Sequence, residues 1–173
     1  MLRAVRSEAM RFSGRKTGFT LVEILVVMVI LAVAVSVFVP NLDQNRGREL
    51  GIAAEQLAAL TNHAQQEAVF STSVWRLEID PARRQYLFTR SEAGDFEPIS
   101  GAPFSHPRRL GDIALQALSI NEEPVSGIGE IFFQPSGERD SFAVELKDGE
   151  HRQWVVLPPY GAAYVSVSHD DNG

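Results

Sequence analysis

A long apolar run near the amino terminus constrains this chain more than any other feature of its sequence. From Phe19 to Val39, a stretch of 21 residues contains only three polar ones, Thr20, Glu23 and Ser36. About 20 apolar residues are enough to cross a bilayer as a helix. A carboxylate inside such a segment costs on the order of 3 kcal/mol, so Glu23 predicts a specific partner or task.

The basic residues that precede this run predict its orientation. Residues 1–18 carry five basic residues against Glu8, a net charge of +4, which leaves −10 on the rest of the chain. An excess of Arg and Lys before an apolar span favours an amino terminus that stays in the cytoplasm. The acidic remainder, which we expect across the membrane, disfavours nucleic acid as a partner, because such binding depends largely on neutralising phosphates.

Three interpretations of this amino-terminal segment compete. A secretory signal peptide would be cleaved after a small-residue motif such as Ala32-Val33-Ala34, but the apolar run is too long for one and continues past that point. A plain membrane anchor explains the length and the flanking charges, yet leaves Glu23 unexplained. The third interpretation rests on a resemblance to a known family.

The sequence Gly18-Phe19-Thr20-Leu21-Val22-Glu23, with basic residues before it and an apolar run after it, resembles the class III signal of type IV pilins and type II secretion pseudopilins. The resemblance implies that a prepilin peptidase removes a leader of residues 1–18 and methylates the new terminus, Phe19. It also implies that Glu23 pairs with a free terminal amine during filament assembly. An initiation at Met10 would shorten the leader, so the start codon stays open.

An ion pair between the terminal amine and Glu23 is favourable in an apolar environment. A protonated amine and a carboxylate attract strongly at low dielectric, and each would otherwise be a buried, unpaired charge. Gly18 suits a cleavage point, because without a side chain its backbone lies close to protease groups.

A second helical segment is predicted after the apolar run. Pro40 favours a kink rather than a stop, since proline removes one helical hydrogen bond. Apolar residues then recur at intervals of three and four, which indicates one buried helix face. This face consists of Leu50, Ala54, Leu57, Leu60, Ala64 and Ala68. We therefore expect a transmembrane half of the helix at residues 19–39 and an amphipathic periplasmic half at 40–70.

Residues 71–173 predict a β domain, because short β-prone runs alternate with turn residues. A hairpin is expected from strands at 74–79 and 85–89, and a tight turn at 147–150. Between them, residues 91–112 predict a long loop with a short strand near 96–99. The remaining strands are expected at 113–120, 130–134, 141–146, 151–157 and 163–168. The predicted fold class is α+β, a long pilin-like helix packed on an antiparallel β-sandwich of two sheets.

The carboxyl-terminal half carries a second resemblance. Gly129-Glu130-Ile131-Phe132-Phe133-Gln134-Pro135-Ser136-Gly137, then the strand at 142–146, then Trp154-Val155-Val156-Leu157-Pro158-Pro159-Tyr160-Gly161, resembles the H-type minor pseudopilins and their minor-pilin relatives. Together the two resemblances cover the amino-terminal helix and most of the β domain. Residues 91–128 show little that matches the family.

No pattern in the sequence predicts catalysis, a cofactor or a metal site. The four histidines, at 63, 106, 151 and 169, lack metal-ligand spacing, and the absence of cysteine excludes thiolate ligands. Glu122-Glu123, Asp170-Asp171, Arg83-Arg84 and Arg108-Arg109 are expected to be surface charges. Gly127-Ile128-Gly129 lacks the third glycine of a phosphate loop and predicts a turn. Trp75 and Trp154 are expected to be core or interface anchors.

The function that the resemblance implies is structural. The chain would be a minor pseudopilin in the tip complex of a type II secretion pseudopilus in a Gram-negative inner membrane and periplasm, helping folded proteins across the outer membrane. Its implied partners are the other minor pseudopilins, the major pseudopilin, the prepilin peptidase and the inner-membrane secretion platform. They extend to the outer-membrane channel and the secreted substrates. The alternatives are a minor type IV pilin acting in pilus assembly, adhesion or DNA uptake, and a membrane-anchored enzyme.

Overall fold

The computed structural model describes residues 20–92 and 94–167, with side chains described for all of these except 35–44 and 92. The leader at 1–18, the processing residues Gly18 and Phe19, and the tail that contains His169 lie outside this range. The chain divides into two compact units, Met1–Asn41 and Leu42–Gly173, and each is described by itself.

The sole helix of the described residues, α1, extends over Leu21–Ser71. Within residues 20–92 and 94–167, no helix combines the length and apolarity needed to cross a bilayer. The membrane span expected at residues 19–39 therefore stays a prediction.

The β domain consists of two antiparallel sheets of five strands each, as the fold class predicted. The strands of the first sheet are β1 (Trp75–Asp80), β2 (Gln85–Glu92), β3 (Asp95–Pro98), β4 (Arg108–Arg109) and β7 (Gly129–Phe133). Strand β1 lies between β2 and β7, and β2 also pairs with the short strands β3 and β4.

The strands of the second sheet are β5 (Ala114–Ile120), β6 (Glu123–Pro124), β8 (Phe142–Asp148), β9 (His151–Leu157) and β10 (Tyr164–Ser166). Strand β8 is central and pairs with β5 and β9, and the short strands β6 and β10 form the two edges of this sheet. The tight turn predicted at 147–150 is confirmed: Asp148 pairs with His151 and Gly149 has a φ of 60°.

One apolar core joins the carboxyl-terminal part of α1 to both sheets. The helix contributes residues spaced by three and four, and the strands contribute alternate residues such as Leu77 and Ile79, which are fully buried. Four of the six buried apolar residues of the helix are alanines. The predicted helix face is confirmed except that Leu60 is only partly buried, and Ala58, which was not predicted, is buried as well. The buried apolar residues of the helix are Leu50, Ala54, Leu57, Ala58, Ala64 and Ala68.

The segment predicted as a long loop contributes more structure than its sequence suggested. Phe104 is buried and packs edge-to-face against Trp75 and Phe88, with ring centroids 5.0 and 5.1 Å apart. Two strands in this half of the chain, β4 and β6, were not predicted. Each has only two residues, too few to show an alternating pattern.

The turn between β5 and β6 explains why that hairpin was missed. Ile120 pairs with Glu123, so Asn121 and Glu122 form a two-residue loop, and both have positive φ, 51° and 69°. Glycine usually occupies the second position of such turns, whereas here it is a glutamate. Glu122 is therefore a turn residue, and the surface location predicted for this carboxylate pair is confirmed.

Gly129 lies where the two sheets come into contact. A Cβ atom on this residue of β7 would lie 2.4 Å from Leu118 Cδ2 and 3.2 Å from Ile120 Cδ1, both on β5. Since real Cβ contacts are longer, any larger residue forces these side chains or the sheets to move. The glycine therefore sets how closely the sheets pack.

We predict that Gly129→Ala lowers the free energy of unfolding by about 1–3 kcal/mol, because it overpacks this contact. Gly51→Ala is the matched control: a Cβ there meets Gln153 at 3.6 Å, an ordinary contact, and removing a helical glycine stabilises by about 0.5–1 kcal/mol. Urea unfolding of the detergent-solubilised chain measures both changes. Equal midpoints for the two variants would contradict the packing role of Gly129.

Candidate assembly site

Glu23 lies in the first turn of α1, where its own backbone joins the cap of the helix. The N–H of Glu23 is 3.2 Å from Thr20 Oγ1 and 3.0 Å from Thr20 O, and the N–H of Ile24 also reaches Thr20 O at 3.3 Å. Threonine followed three residues later by glutamate is the sequence of a capping box. Thr20 was not predicted in this role, although its spacing to Glu23 indicates it.

The Glu23 side chain is exposed and has no cationic partner in the part of the chain that the structure describes. A carboxylate at the amino end of a helix is stabilised by the helix dipole. That stabilisation is modest, typically about 0.3–1 kcal/mol, and leaves the charge free to pair with a group outside this chain.

The first turns of α1 are apolar on every side. Residues 21–33 are all exposed, and their large side chains are between 46% and 82% exposed. A helix that is hydrophobic all round is normally covered by protein or lipid. These side chains are Leu21, Val22, Ile24, Leu25, Val26, Val27, Met28, Val29, Ile30, Leu31 and Val33.

Pro40 has a helical backbone, and the division between the two compact units follows at Asn41. Its side chain is outside the described set. The kink expected at this residue stays a prediction.

Two polar side chains fasten the segment after β9 to α1. The Asn62 amide donates to Ala163 O at 3.0 Å and accepts from Ala163 N at 2.7 Å, so it satisfies both backbone groups of that residue. Arg139 donates to Gln65 Oε1 on the helix, and to Pro158 O and Gly161 O at 3.0 and 2.5 Å. Burial lowers the pKa of Arg139 from its usual value.

Arg139 lies just after the first part of the second resemblance and contacts the last part. The Phe-x-Pro-x-Gly element ends in a turn in which Gly137 donates to Gln134 O at 3.0 Å with a φ of 86°, a conformation that favours glycine. Arg139 follows two residues later. The segment that Arg139 holds, residues 158–161, is the Pro-Pro-Tyr-Gly part of the resemblance. Arg139 therefore links the end of the first part to the last part, although 19 residues separate it from Pro158.

A surface groove of about 500 Å³ lies beside this fastening. No titratable group lines it, so it lacks the converging acids and bases of a catalytic cleft. Phe70 at its rim is 81% exposed, and Tyr160, next to the lining residue Gly161, is 90% exposed. The lining residues are Asn62, Gln65, Gln66, Val69, Phe70, Gly161 and Ala162.

The structure brings together two basic pairs that are far apart in the sequence. The pairing of β4 with β2 places Arg109 opposite Gln85 and Arg108 opposite Tyr86, directly beside Arg83 and Arg84. Burial raises the pKa of Tyr86 to about 12, and the positive charge of Arg108 opposes that shift. We call Arg83, Arg84, Arg108 and Arg109 the arginine edge.

The tryptophans and His63 have positions that fit structural roles. Trp75 is buried in the core as predicted, and Trp154 is half-buried opposite Glu145 on β8. His63 is on the exposed side of α1 with its Nε2 atom 3.4 Å from Glu67 Oε1. Among residues 20–92 and 94–167, no group of three or more His, Asp or Glu could hold a metal ion.

Comparison with known sequences identifies the amino-terminal segment. Residues 13–39 match the family described as the prokaryotic N-terminal methylation motif. Over 180 aligned residues the chain is 21% identical to the type II secretion system protein H of Dickeya chrysanthemi. That alignment covers 92% of this chain and 99% of the relative.

Comparison with solved structures identifies the fold. A structure of the minor pseudopilin EpsH from the type 2 secretion system of Vibrio cholerae superposes with a TM-score of 0.58 at 18% identity, over 69% of this chain and 97% of the chain in that structure. A crystal structure of the same minor pseudopilin gives a TM-score of 0.57 at 15% identity, with the same coverage. The chain therefore has the fold of a minor pseudopilin.

We predict that Asn62→Ala lowers the free energy of unfolding by about 1–3 kcal/mol, because it leaves the backbone groups of Ala163 without partners. Hydrogen exchange at the Ala163 amide should accelerate, and urea unfolding should show the loss of stability. Gln66→Ala is the control, since that exposed side chain lines the same groove. Its effect should stay within about 0.5 kcal/mol. Unchanged exchange at Ala163 in Asn62→Ala would contradict the fastening role.

Proposed function

We infer that this chain is an H-type minor pseudopilin, a structural subunit of the type II secretion system. One observation carries this conclusion: a single chain joins the N-terminal methylation motif to a β domain with the fold of EpsH. The relative from Dickeya chrysanthemi, itself named for that secretion system, aligns with the chain almost from end to end. The chain would act in the tip complex of a pseudopilus that helps folded proteins cross the outer membrane.

The proposed location is the inner membrane, with the amino terminus in the cytoplasm and the β domain in the periplasm. The basic residues before Phe19 support this orientation, and the exposed apolar side chains of residues 21–33 support a lipid or protein environment. After assembly the same segment would lie in the core of a filament. A kink at Pro40 would then let the helix bend between that core and the β domain.

The proposed maturation is cleavage after Gly18 by the prepilin peptidase and methylation of Phe19. Cleavage there leaves Phe19 as the amino terminus directly before the Thr20 cap, so the new amine is a short distance along the chain from the Glu23 backbone. In a stack whose subunits are offset by about the distance from Phe19 to Glu23, the amine of one subunit would lie next to the carboxylate of its neighbour.

The proposed role of Glu23 is to receive the Phe19 amine of a neighbouring subunit. The exposed carboxylate has no cationic partner within the described residues, which leaves it available for such a contact. A buried charge that loses its partner costs several kcal/mol, so an incoming subunit is favoured only in the register that pairs both charges. The partners in this contact would be the major pseudopilin and the other minor pseudopilins. Further proposed contacts are with the inner-membrane platform, the outer-membrane channel and the secreted proteins.

The maturation proposal is tested by the intact mass of the chain from membranes of cells with and without the prepilin peptidase. We predict a chain that begins at Phe19 and is heavier by one methyl group when the peptidase is present. Gly18→Ala should keep its leader, whereas the control Gly14→Ala, in the same leader, should be processed normally. A chain that begins at Val35 would establish a secretory signal instead.

We predict that Glu23→Gln leaves processing intact but reduces incorporation into filaments at least about tenfold, because a neutral amide does not neutralise the amine charge. Glu55→Gln is the matched control, an exposed glutamate on the same helix beyond the apolar run. Sheared filament fractions and the amount of exported protein measure incorporation. Normal incorporation of Glu23→Gln would remove the proposed contact.

A further inference from the structure

The arginine edge concentrates positive charge on an acidic protein. Residues 19–173 carry a net charge of −10, yet four arginines from two distant segments lie side by side at the edge of the first sheet. The N–H of Leu110 donates to Arg84 O at 2.9 Å, which holds the two segments together beyond the strand pairing. Backbone hydrogen bonds therefore fix the positions of these residues relative to one another.

The carboxylates near this edge neutralise only part of it. Asp80 is buried, accepts from the backbone N–H of Arg83 at 3.0 Å and lies 3.6 Å from the Arg83 guanidinium. In the part of the chain that the structure describes, no carboxylate forms an ion pair with Arg84, Arg108 or Arg109. Asp112 is exposed and close in sequence, and β3, which pairs with the same edge of β2, carries Asp95 and Glu97.

Two of these guanidinium groups are held in place by neutral acceptors. Arg84 Nη1 donates to Gly111 O at 3.3 Å, and Arg108 Nη2 donates to Pro103 O at 2.9 Å. A guanidinium carries five N–H groups, so each keeps several donors for another molecule. Because the side chains are already anchored, binding would cost less conformational entropy than ordering free arginines.

We propose that the arginine edge is a docking surface for an acidic segment of a neighbouring filament subunit, one that presents two or more Asp or Glu side chains. Guanidinium groups match carboxylates in a bidentate geometry, and arginine is enriched at the centres of protein interfaces. The identity of the partner in this inference rests on the proposed function. The chemistry of the surface does not depend on it.

The distribution of charge favours a short acidic segment over a nucleic acid. A long polyanion that reached the arginine edge would also meet the acidic remainder of the chain, whereas a short segment would contact the edge alone. Such a contact would contribute chiefly to the rate and specificity of docking.

The binding experiment uses the full chain in detergent and a fluorescent, short glutamate-rich peptide, followed by anisotropy at several salt concentrations. The combined variant Arg84→Gln, Arg108→Gln and Arg109→Gln should weaken binding by about tenfold. The matched control Arg46→Gln, Arg48→Gln and Lys147→Gln loses the same number of positive charges elsewhere, and its binding should change by less than about twofold. The affinity of the combined variant Arg84→Lys, Arg108→Lys and Arg109→Lys should lie between these two, since lysine keeps the charge but lacks the planar guanidinium that binds a carboxylate with two hydrogen bonds.

Three results would overturn the proposal. The first is an equal loss of binding in the arginine-edge and control variants, and the second is equal affinity for a lysine-rich peptide. The third is tighter, arginine-dependent binding of duplex DNA or of phosphatidylglycerol vesicles, which would assign the edge to phosphate groups. The DNA result would also favour the alternative function in DNA uptake.

The partner is tested in cells by a photo-crosslinking amino acid at Asp112, with Glu150 as the control position on the other sheet. The proposal expects an adduct at Asp112 with another secretion subunit, joined through a peptide that contains Asp or Glu. If the chain is matured at Phe19 and supports export but the Asp112 adduct is missing, the docking surface is wrong and the proposed function stands. Failure of maturation in the unmodified chain would instead remove the proposed function.

Discussion

The alanine-rich face of α1 against the two sheets is the contact on which the rest of the domain depends. Ala54, Ala64 and Ala68 are fully buried and belong to the same apolar core as residues of both sheets. A two-sheet domain needs its inner faces covered, and here the helix covers them. The same helix carries the apolar amino-terminal segment at its other end. One continuous helix therefore contains both the exposed apolar segment and the face that packs in the core.

The segment after β9 shows how this contact is completed by polar groups. Asn62 satisfies both backbone groups of Ala163, and Arg139 binds one helix side chain and two carbonyls of the following turn. These bonds satisfy backbone groups of the segment between β9 and β10. They also link the two family-like elements, because Arg139 follows the element at 129–137 and two of its acceptors belong to the element at 154–161.

The described surface has two regions that suit different kinds of interaction. Along residues 21–33 it is apolar on all sides with a single carboxylate, which suits insertion into lipid or into a bundle of like helices. At the arginine edge it is charged, and each anchored guanidinium keeps free donors. Apolar burial supplies affinity, while charge complementarity supplies orientation and choice of partner. A subunit that must enter a filament in one register benefits from both.

The sequence by itself determined the features that depend on local pattern. Spacings of three and four predicted the buried face of α1, alternation predicted the main strands, and Gly18 to Glu23 predicted the class of amino-terminal signal. Only the tertiary structure decided which strands share a sheet, because register depends on partners distant in the chain. It likewise decided that Arg84 lies beside Arg109, that Asn62 meets Ala163 and that Phe104 enters the core. Two-residue strands and single hydrogen bonds across about a hundred residues leave no periodic trace, so a sequence pattern does not predict them.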